Sequence, residues 1–291
     1  EDATPGLDLE GCTLAHDLGL IACRFQHALL LRGARVQSLV LNGAALPGLT
    51  ADGLEARGDV FLRGVKAKGE VRLLGAQVGG DLDCDGGWFE NAGGKALNAD
   101  GMEAMGTVFL RDVHATGEVC LLGARVGGDL DCDGGQFKKS GGRALSADRL
   151  ETKGSVFLRG VHAVGEVRFL GAWIGGNLEC DGGRFENVLG QALNAAGARI
   201  TGALFWREWS DATGVIDLTA AEIGTIADDP LFWPGPRDLA LNRCRYSAFT
   251  GRGVSGDARI RWLDLQTPER RGEDFWPQPW EHCAKVLREM G

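Results

Sequence analysis

A repeat of 48 residues constrains the fold more than any other feature of this sequence. Residues 59–87, 107–135 and 155–183 align without gaps, and the similarity resumes at Gly202 with the sequence GALFW. A degenerate earlier copy covers roughly 20–57. Self-similarity at a fixed period is typical of a solenoid, in which each unit packs only on its neighbours.

Within each copy, short apolar-x-apolar triplets such as Val60-x-Leu62 and Leu82-x-Cys84 alternate with glycine-containing turns. The alternation has the period of a strand, and the runs are too short for a helix. Eight triplets per repeat, at four per coil, predict two coils of 22 and 26 residues. We therefore predict an all-β fold: a right-handed parallel β-helix, four-sided, of about nine coils, with a small C-terminal cap that includes short helices.

The stacking of such coils predicts interior columns with an ordered composition. One column alternates small and large residues, as a filled core requires, and the second alternates leucine with cysteine. The first consists of Ala67, Phe89, Ala115, Phe137, Ala163 and Phe185, and the second of Leu62, Cys84, Leu110, Cys132, Leu158, Cys180 and Trp206. The insertion ENAGGK at 90–95 is predicted to be a protruding loop.

Three segments are expected along the chain: an N-terminal cap at 1–19, repeat coils at 20–226 and a C-terminal cap at 227–291. The last segment contains a predicted helix at 257–265 and another from Pro279, which places Trp280, Cys283, Val286 and Leu287 on one face. Because the chain starts with Glu1 and stops at Gly291 inside a predicted helix, we expect it to be part of a longer protein.

Charge and cysteine usage narrow the classes of function. A net charge of −9 opposes a nucleic-acid binder that works by neutralising phosphates. No apolar run has membrane-spanning length, and the N-terminus does not resemble a signal peptide. The eight cysteines contain no C-x-x-C pair, which indicates neither a disulfide framework nor a zinc site and favours a reducing, cytoplasmic setting. No phosphate loop or nucleophile–base set is present, so we predict no catalytic residues, no cofactor and no metal.

An acidic motif, GGDLDCDGG, recurs in the repeats with its carboxylates between inward-facing Leu and Cys. A calcium stripe is one interpretation, and a solvated acidic face is the other. Equivalent groups on neighbouring repeats lie two coils, about 10 Å, apart, which favours the second. The stripe consists of Asp81, Asp83, Asp85, Asp129, Asp131, Asp133, Glu179 and Asp181.

An aromatic column and a basic column are also predicted to face outward. Either the cap or the ENAGGK-type loops cover the aromatic rings, or the rings form a partner or dimer surface. The arginines are expected to pair with Glu70, Glu118 and Glu166. The two columns, which together form the candidate interaction surface, are Phe61, Phe109, Phe157 and Phe205, with Arg63, Arg111 and Arg159.

The triplets spaced one turn apart resemble the pentapeptide-repeat-like β-helix proteins of bacteria, although the units here vary from five to seven residues. The ending FWPQPWEHCAKVLREMG and the upstream motif L-x-L-N-R-C-R-Y resemble an actinobacterial family of large β-helix proteins. Its members are often labelled membrane-associated or "oxidoreductase" without a demonstrated activity. The resemblance implies a helical or membrane-linked segment beyond Gly291 and supplies no catalytic residues.

The leading functional hypothesis is a cytoplasmic, non-enzymatic scaffold for a protein partner or for self-association, with membrane contact only through a segment beyond residue 291. One alternative is a β-helix carbohydrate-active enzyme with a groove on one face, for which the break at Trp206–Asp211 is the candidate position. Another is a DNA mimic that interacts with gyrase. DNA of the predicted rod length, about 43 Å, carries about 25 charges, far more than the −9 of this chain.

Overall fold

The computed structural model describes residues 6–208, 210–233, 238–252, 254–266 and 276–291. Strands of successive coils pair in parallel, from Leu18–Gly19 near the N-terminus to Arg245–Gly251 near the C-terminus. The stacked coils make about ten turns, which confirms the predicted parallel β-solenoid. No helix in these ranges is long and apolar enough to cross a membrane.

The strands are mostly two residues long, because each coil turns after one apolar-x-apolar triplet. In the described parts of the chain they are β1 (Leu18–Gly19), β2 (Leu29–Leu30), β3 (Arg35–Val36), β4 (Leu39–Val40), β5 (Ala45–Leu46), β6 (Leu49–Thr50), β7 (Glu55–Ala56), β8 (Val60–Phe61), β9 (Lys66–Ala67), β10 (Val71–Arg72), β11 (Gln77–Val78), β12 (Leu82–Asp83), β13 (Trp88–Asn98), β14 (Glu103–Ala104), β15 (Val108–Phe109), β16 (His114–Cys120), β17 (Arg125–Val126), β18 (Leu130–Asp131), β19 (Gln136–Ser146), β20 (Glu151–Thr152), β21 (Val156–Phe157), β22 (His162–Arg168), β23 (Trp173–Ile174), β24 (Leu178–Glu179), β25 (Arg184–Asn194), β26 (Arg199–Trp206), β27 (Asp211–Asp217), β28 (Glu222–Asp228), β29 (Leu239–Ala240) and β30 (Arg245–Gly251). A 3₁₀ turn at Pro230–Phe232 lies between β28 and β29, and two helices, α1 (Gly256–Leu263) and α2 (Gln278–Met290), follow β30.

Each coil has four sides, which we number from the coil that begins at Val60. Side 1 is the triplet 60–62, side 2 is 65–67, side 3 is 71–73 and side 4 is 76–78. Sides 4 and 1 of all coils join into one 18-stranded sheet, and sides 2 and 3 join into a 12-stranded sheet. The middle residue of each triplet points outward, and its two neighbours point into the core.

The core consists of the predicted interior columns. Leu82 pairs with Val60 in one direction and with Val108 in the other, so successive coils contain 22 and 26 residues. Phe89 pairs with both Ala67 and Ala115, as predicted, and is fully buried. Every other member of the two columns is also buried, which confirms a filled interior.

The insertion at 90–95 projects from the ladder as a bulge, in agreement with the predicted protruding loop: residues 91–94 lie opposite the single residue Gly117, and the side-chain amide of Asn91 donates to the carbonyl oxygen of Lys95 at 2.8 Å. It lies within β13, which pairs with β16 on both sides of a register shift between Glu90 and Lys95. The shift is accommodated by Gly117, whose φ is +123° and where a Cβ would lie 2.3 Å from the carbonyl oxygen of Asn91. Only glycine allows the inserted backbone to pack this closely on the next coil.

The insertions in β13, β19 and β25 shield side 3 from solvent. Outward-facing Asn98, Cys120, Ser146 and Asn194 are all less than a tenth exposed. The Nζ of Lys95, within one insertion, contacts the Asp100 carboxylate at 2.7 Å. The ENAGGK-type segments therefore cover side 3 rather than the phenylalanines of side 1.

Coil pairing extends beyond the expected bounds of 20–226. Near the N-terminus, Asp8 pairs with Leu30 and Thr13 with Arg35, so the described part of the expected N-terminal cap forms a coil; residues 1–5 lie outside the described residues. Near the C-terminus, β28 continues in register into β30, which belongs to the expected C-terminal cap. The capping elements proper begin later, with α1 and α2.

The two helices close the last coil. In α2, Cys283 and Val286 are buried, and Trp280 and Leu287 pack against the core, as predicted for one apolar face. In α1, Arg259 is fully buried and binds the carboxylate of Asp228 in β28 through two hydrogen bonds, of 2.8 and 2.5 Å.

Candidate interaction surfaces

The predicted aromatic column and part of the acidic stripe are one structure on side 1. Phe61 is in register with Asp83, Asp83 with Phe109, and Phe109 with Asp131. The same alternation continues toward the C-terminus, so that an outward ring and an outward carboxylate follow each other at every coil. We call this surface the Phe–acid column; its members are Phe61, Asp83, Phe109, Asp131, Phe157, Glu179 and Phe205.

Arginines cover the rings of this column. The guanidinium carbons of Arg111 and Arg159 lie 4.6 and 4.7 Å from the ring centroids of Phe109 and Phe157. Arg63 lies 5.6 Å from the ring of Phe61, and Arg207, which the sequence analysis did not single out, lies 4.5 Å from that of Phe205. The phenylalanines are consequently half-buried, and their cover is neither the cap nor the insertions.

The same arginines neutralise the acidic stripe. Arg63 Nε donates to Asp83 at 2.6 Å, Arg111 Nε to Asp85 at 2.9 Å and Arg159 Nε to Asp133 at 2.7 Å. Arg207 binds Asp181 in the same way. The expected pairing of these arginines with Glu70, Glu118 and Glu166 is wrong, because those glutamates contact Asn98, Arg143 and Arg168 instead.

The acidic stripe is not a solvated face, which corrects that interpretation. The Asp83 side chain is 1% exposed and that of Asp181 is 7% exposed. Burial raises the pKa of the Asp131 carboxyl above its ordinary value. Asp81 and Asp129 accept backbone N–H groups of the following coil, at 2.7 Å in each case, so they brace the turns.

The described residues contain no group of three or more His, Cys, Asp or Glu side chains arranged to hold a metal ion. Cys84, Cys132 and Cys180 are fully buried in the core column, and burial raises the pKa of each thiol well above its ordinary value. A thiol that resists deprotonation is a poor nucleophile and a poor metal ligand.

The break in the repeat at Trp206–Asp211 is packed rather than open. Trp206 is fully buried and donates its indole N–H to the carbonyl oxygen of Phe232 at 2.6 Å. Ser210 is buried and donates to the carbonyl oxygen of Cys180 at 2.9 Å. Trp209 lies outside the described residues. This position therefore shows no groove among its described residues.

Side 4 carries a surface that the sequence analysis missed. Its outward residues form a column in which charges of opposite sign are neighbours, and one position is tryptophan. The column runs Arg35, Glu55, Gln77, Glu103, Arg125, Glu151, Trp173, Arg199, Glu222 and Arg245. Unlike the acidic residues of side 1, these side chains are largely exposed: Glu103 is 48% and Arg125 is 64% accessible.

Four cavities follow one another along side 4. The first, of about 270 Å³, lies around Gly79, and the second, of about 220 Å³, lies around Gly127. A third, of about 300 Å³, lies beside Trp173 at the opposite edge of side 4, where side 3 ends. The fourth, of about 530 Å³, separates the last coils from α2 and is lined by Tyr246 and His282. We call this succession of cavities the side 4 groove.

Two large apolar side chains are exposed in the side 4 groove. Met105, at the corner between sides 4 and 1, is 69% exposed, and Trp173 is 40% exposed. Both line the cavity around Gly127. Arg125 donates to Glu103 at 2.6 Å, but its Nε is 3.7 Å from the nearer oxygen of Glu151, so that the Glu151 carboxylate is only weakly engaged.

Sequence reasoning missed this groove because the groove is formed where side chains are absent. The signal in the sequence was a glycine that recurs every 48 residues, at Gly79, Gly127 and Gly175, where a neighbouring coil carries Met105 or Lys153.

Comparison of the chain with protein-family models, with curated proteins and with solved structures found no match.

Proposed function

We propose that this protein is a non-enzymatic scaffold that binds a protein partner along the side 4 groove. The observation that carries the proposal is the pair of exposed apolar side chains, Met105 and Trp173, in a row of cavities on an otherwise charged face. Exposed apolar patches with a charged rim are typical of protein interfaces, and their aromatic residues contribute most of the binding energy.

The solenoid suits this role because its surface is held rigid before binding. Arg125 and Glu103 are anchored in consecutive strands that pair in register. A partner would therefore find the charged side chains already spaced by the backbone, at about 4.8 Å per coil. Preorganisation of this kind lowers the entropic cost of association.

Side 1, the surface predicted from the sequence, is a weaker candidate than side 4. The arginines of the Phe–acid column already cover the rings and already bind the carboxylates. A partner would have to break these contacts to reach the aromatic surface. Since sides 4 and 1 belong to one sheet, we assign the Phe–acid column to the flank of the binding face.

A reducing cytoplasmic location is part of the proposal. All eight cysteines are free thiols, which supports a compartment in which disulfides do not form.

The proposal is tested by selecting a displayed library of random peptides on the whole chain. Peptides that recognise the groove should bind at least tenfold more weakly to Met105→Glu and to Trp173→Ala. The matched controls are Val188→Glu and Trp88→Ala, at residues that are 71% and 46% exposed on the other sheet. Peptides that bind all variants equally, or a selection without enrichment, would remove the proposal. Light scattering of the same variants distinguishes a second copy of the chain as the partner.

A carbohydrate-active protein is the second candidate, favoured by one arrangement in the groove. Glu103 and Glu151 lie on either side of Arg125, and Trp173 is the next residue of the column. Paired carboxylates beside an aromatic platform suit the cleavage of a sugar chain. Incubation with a panel of polysaccharides, followed by mass spectrometry, tests it. Product formation that Glu151→Gln abolishes would establish an enzyme.

A further inference from the structure

The corner between sides 4 and 1 alternates between a large side chain and glycine. Arg57, Gly79, Met105, Gly127 and Lys153 occupy this corner in five successive coils. At Gly79 and at Gly127 a Cβ would lie 2.0 Å from a carbonyl oxygen of the preceding coil, so neither position accepts a side chain. The result is a notch at every second coil, and the cavities of about 270 and 220 Å³ are these notches.

The two notches are separated by two coils, or about 9.6 Å. A polyproline II helix advances about 9.3 Å in three residues and presents the same side chain direction at each third residue. A β-strand repeats its direction after about 6.6 Å, which does not match. An α-helix returns to the same side-chain direction after seven residues, about 10.5 Å. Its deviation from the spacing of the notches is therefore about three times that of polyproline II.

The chemistry of the notches fits the same ligand. Met105 forms a wall of both notches, and Trp173 lines the second. Flat apolar rings such as proline pack well on exposed aromatic and thioether groups. Each notch, at below 300 Å³, is smaller than the usual site of a drug-sized molecule and suits one or two side chains of a longer segment.

Acidic side chains follow the same spacing. Glu55, Glu103 and Glu151 occupy side 4 at intervals of two coils, beside the notches. Glu151 is 58% exposed and only weakly engaged by Arg125. Arg35 binds Glu55 and Arg125 binds Glu103, so Glu151 is the carboxylate of this row that a basic residue of the ligand would meet without breaking an ion pair. Arg57 lines the first notch and Lys153 lines the second, so peptides of both charges have to be compared.

We propose that the side 4 groove binds an extended, basic, proline-rich segment of a partner protein in the polyproline II conformation. Prolines of the segment enter the notches at Gly79 and Gly127, and a neighbouring lysine or arginine faces Glu151 of side 4. This inference rests on the proposed function of the groove and specifies the partner.

Fluorescence anisotropy with labelled twelve-residue peptides tests the inference. The probe is (Pro-Pro-Arg)4; (Gly-Gly-Arg)4 has the same charge without the polyproline II preference, and (Pro-Pro-Glu)4 has the conformation with the opposite charge. We expect the probe to bind at least tenfold more tightly than either control peptide at 150 mM salt. Met105→Glu should weaken binding at least tenfold, and Val188→Glu, which adds the same charge at equal exposure, should change it less than twofold.

Equal affinity for (Pro-Pro-Arg)4 and (Gly-Gly-Arg)4 would overturn the inference. The general attraction between a positively charged peptide and a protein of net charge −9 would then explain the binding. Binding that survives Met105→Glu would overturn the inference as well. If the displayed library yields groove-dependent peptides that are not proline-rich, the inference fails and the proposed function stands. If the library yields none, the proposed function itself fails.

Discussion

Replacing Arg259 with methionine should loosen the C-terminal cap. Arg259 and Asp228 are both inaccessible to solvent and share two hydrogen bonds, and the guanidinium carbon lies 3.7 Å from the ring centroid of Phe249. The substitution keeps a long, unbranched side chain but removes the charge. Among the described residues, the buried Asp228 carboxylate then keeps the indole N–H of Trp233, at 2.6 Å, as its side-chain donor.

The cost follows from leaving a charge buried without its partner. Loss of one member of a buried ion pair destabilises a protein by about 3–5 kcal/mol. The double variant Asp228→Asn with Arg259→Met removes both charges and should recover about 2 kcal/mol or more of that loss. Arg199→Met is the control, since Arg199 and its partner Glu222 are 62% and 45% exposed; we expect no measurable change there.

Native-state hydrogen exchange with mass spectrometry is the appropriate assay, because a long repeat array does not unfold in one step. The free energy of opening is read from peptides that cover α1 and α2. A decrease of less than about 1 kcal/mol for Arg259→Met would refute the reasoning. A double variant as unstable as the single one would also refute it.

Three further predictions concern the coils and the thiols. Gly117→Ala should lower the thermal midpoint by several degrees, because its Cβ would meet the insertion backbone at 2.3 Å, whereas Gly93→Ala, in open space, should leave it unchanged; equal midpoints in circular dichroism would contradict this. Phe137→Ala, at a fully buried site, should lower the free energy of opening of β19, read by native-state hydrogen exchange, by about 3–5 kcal/mol, and a loss below about 1 kcal/mol would mean that the column does not pack as described. Burial raises the pKa of Cys120 from 9.0 to about 12. The unfolded state therefore loses its proton first, and the free energy of unfolding should fall as the pH rises from about 9 towards 12. Cys120→Ala should reduce this dependence of the free energy of unfolding on pH, and an unchanged dependence would contradict the prediction.

The repeat made the solenoid and its core predictable, because inward residues depend only on register. Phe89 and Ala115 are 26 residues apart in sequence and adjacent in the core, and the 48-residue period suffices to place them together. The ends were harder to delimit. The coil that contains β30 lacks the glycine-rich motif, so its sequence resembles a cap although its backbone continues the stack.

The surface was less predictable, because side-chain partners there depend on which residue the neighbouring coil presents. Arg63 reaches Asp83 on the following coil, whereas Arg111, at the same repeat position, reaches back to Asp85 on the preceding coil. The cause is the preceding coil, which presents Asn42 to Arg63 but Asp85 to Arg111, so the same repeat position does not imply the same pairing. The side 4 groove was missed for a related reason: a motif search finds residues, and the groove is made by glycines that leave space.

Because 22- and 26-residue coils alternate, we expect the repeat array to tolerate a change in length only when a whole pair of coils is added or removed. Deleting 48 consecutive residues from the middle of the array would rejoin equivalent positions and shorten the rod by about 9.6 Å with every register intact. Deleting the single coil that holds Ala115 would instead set Phe89 directly against Phe137, two large rings where the tube has room for one. During evolution, coils of this array are thus expected to be gained and lost in pairs.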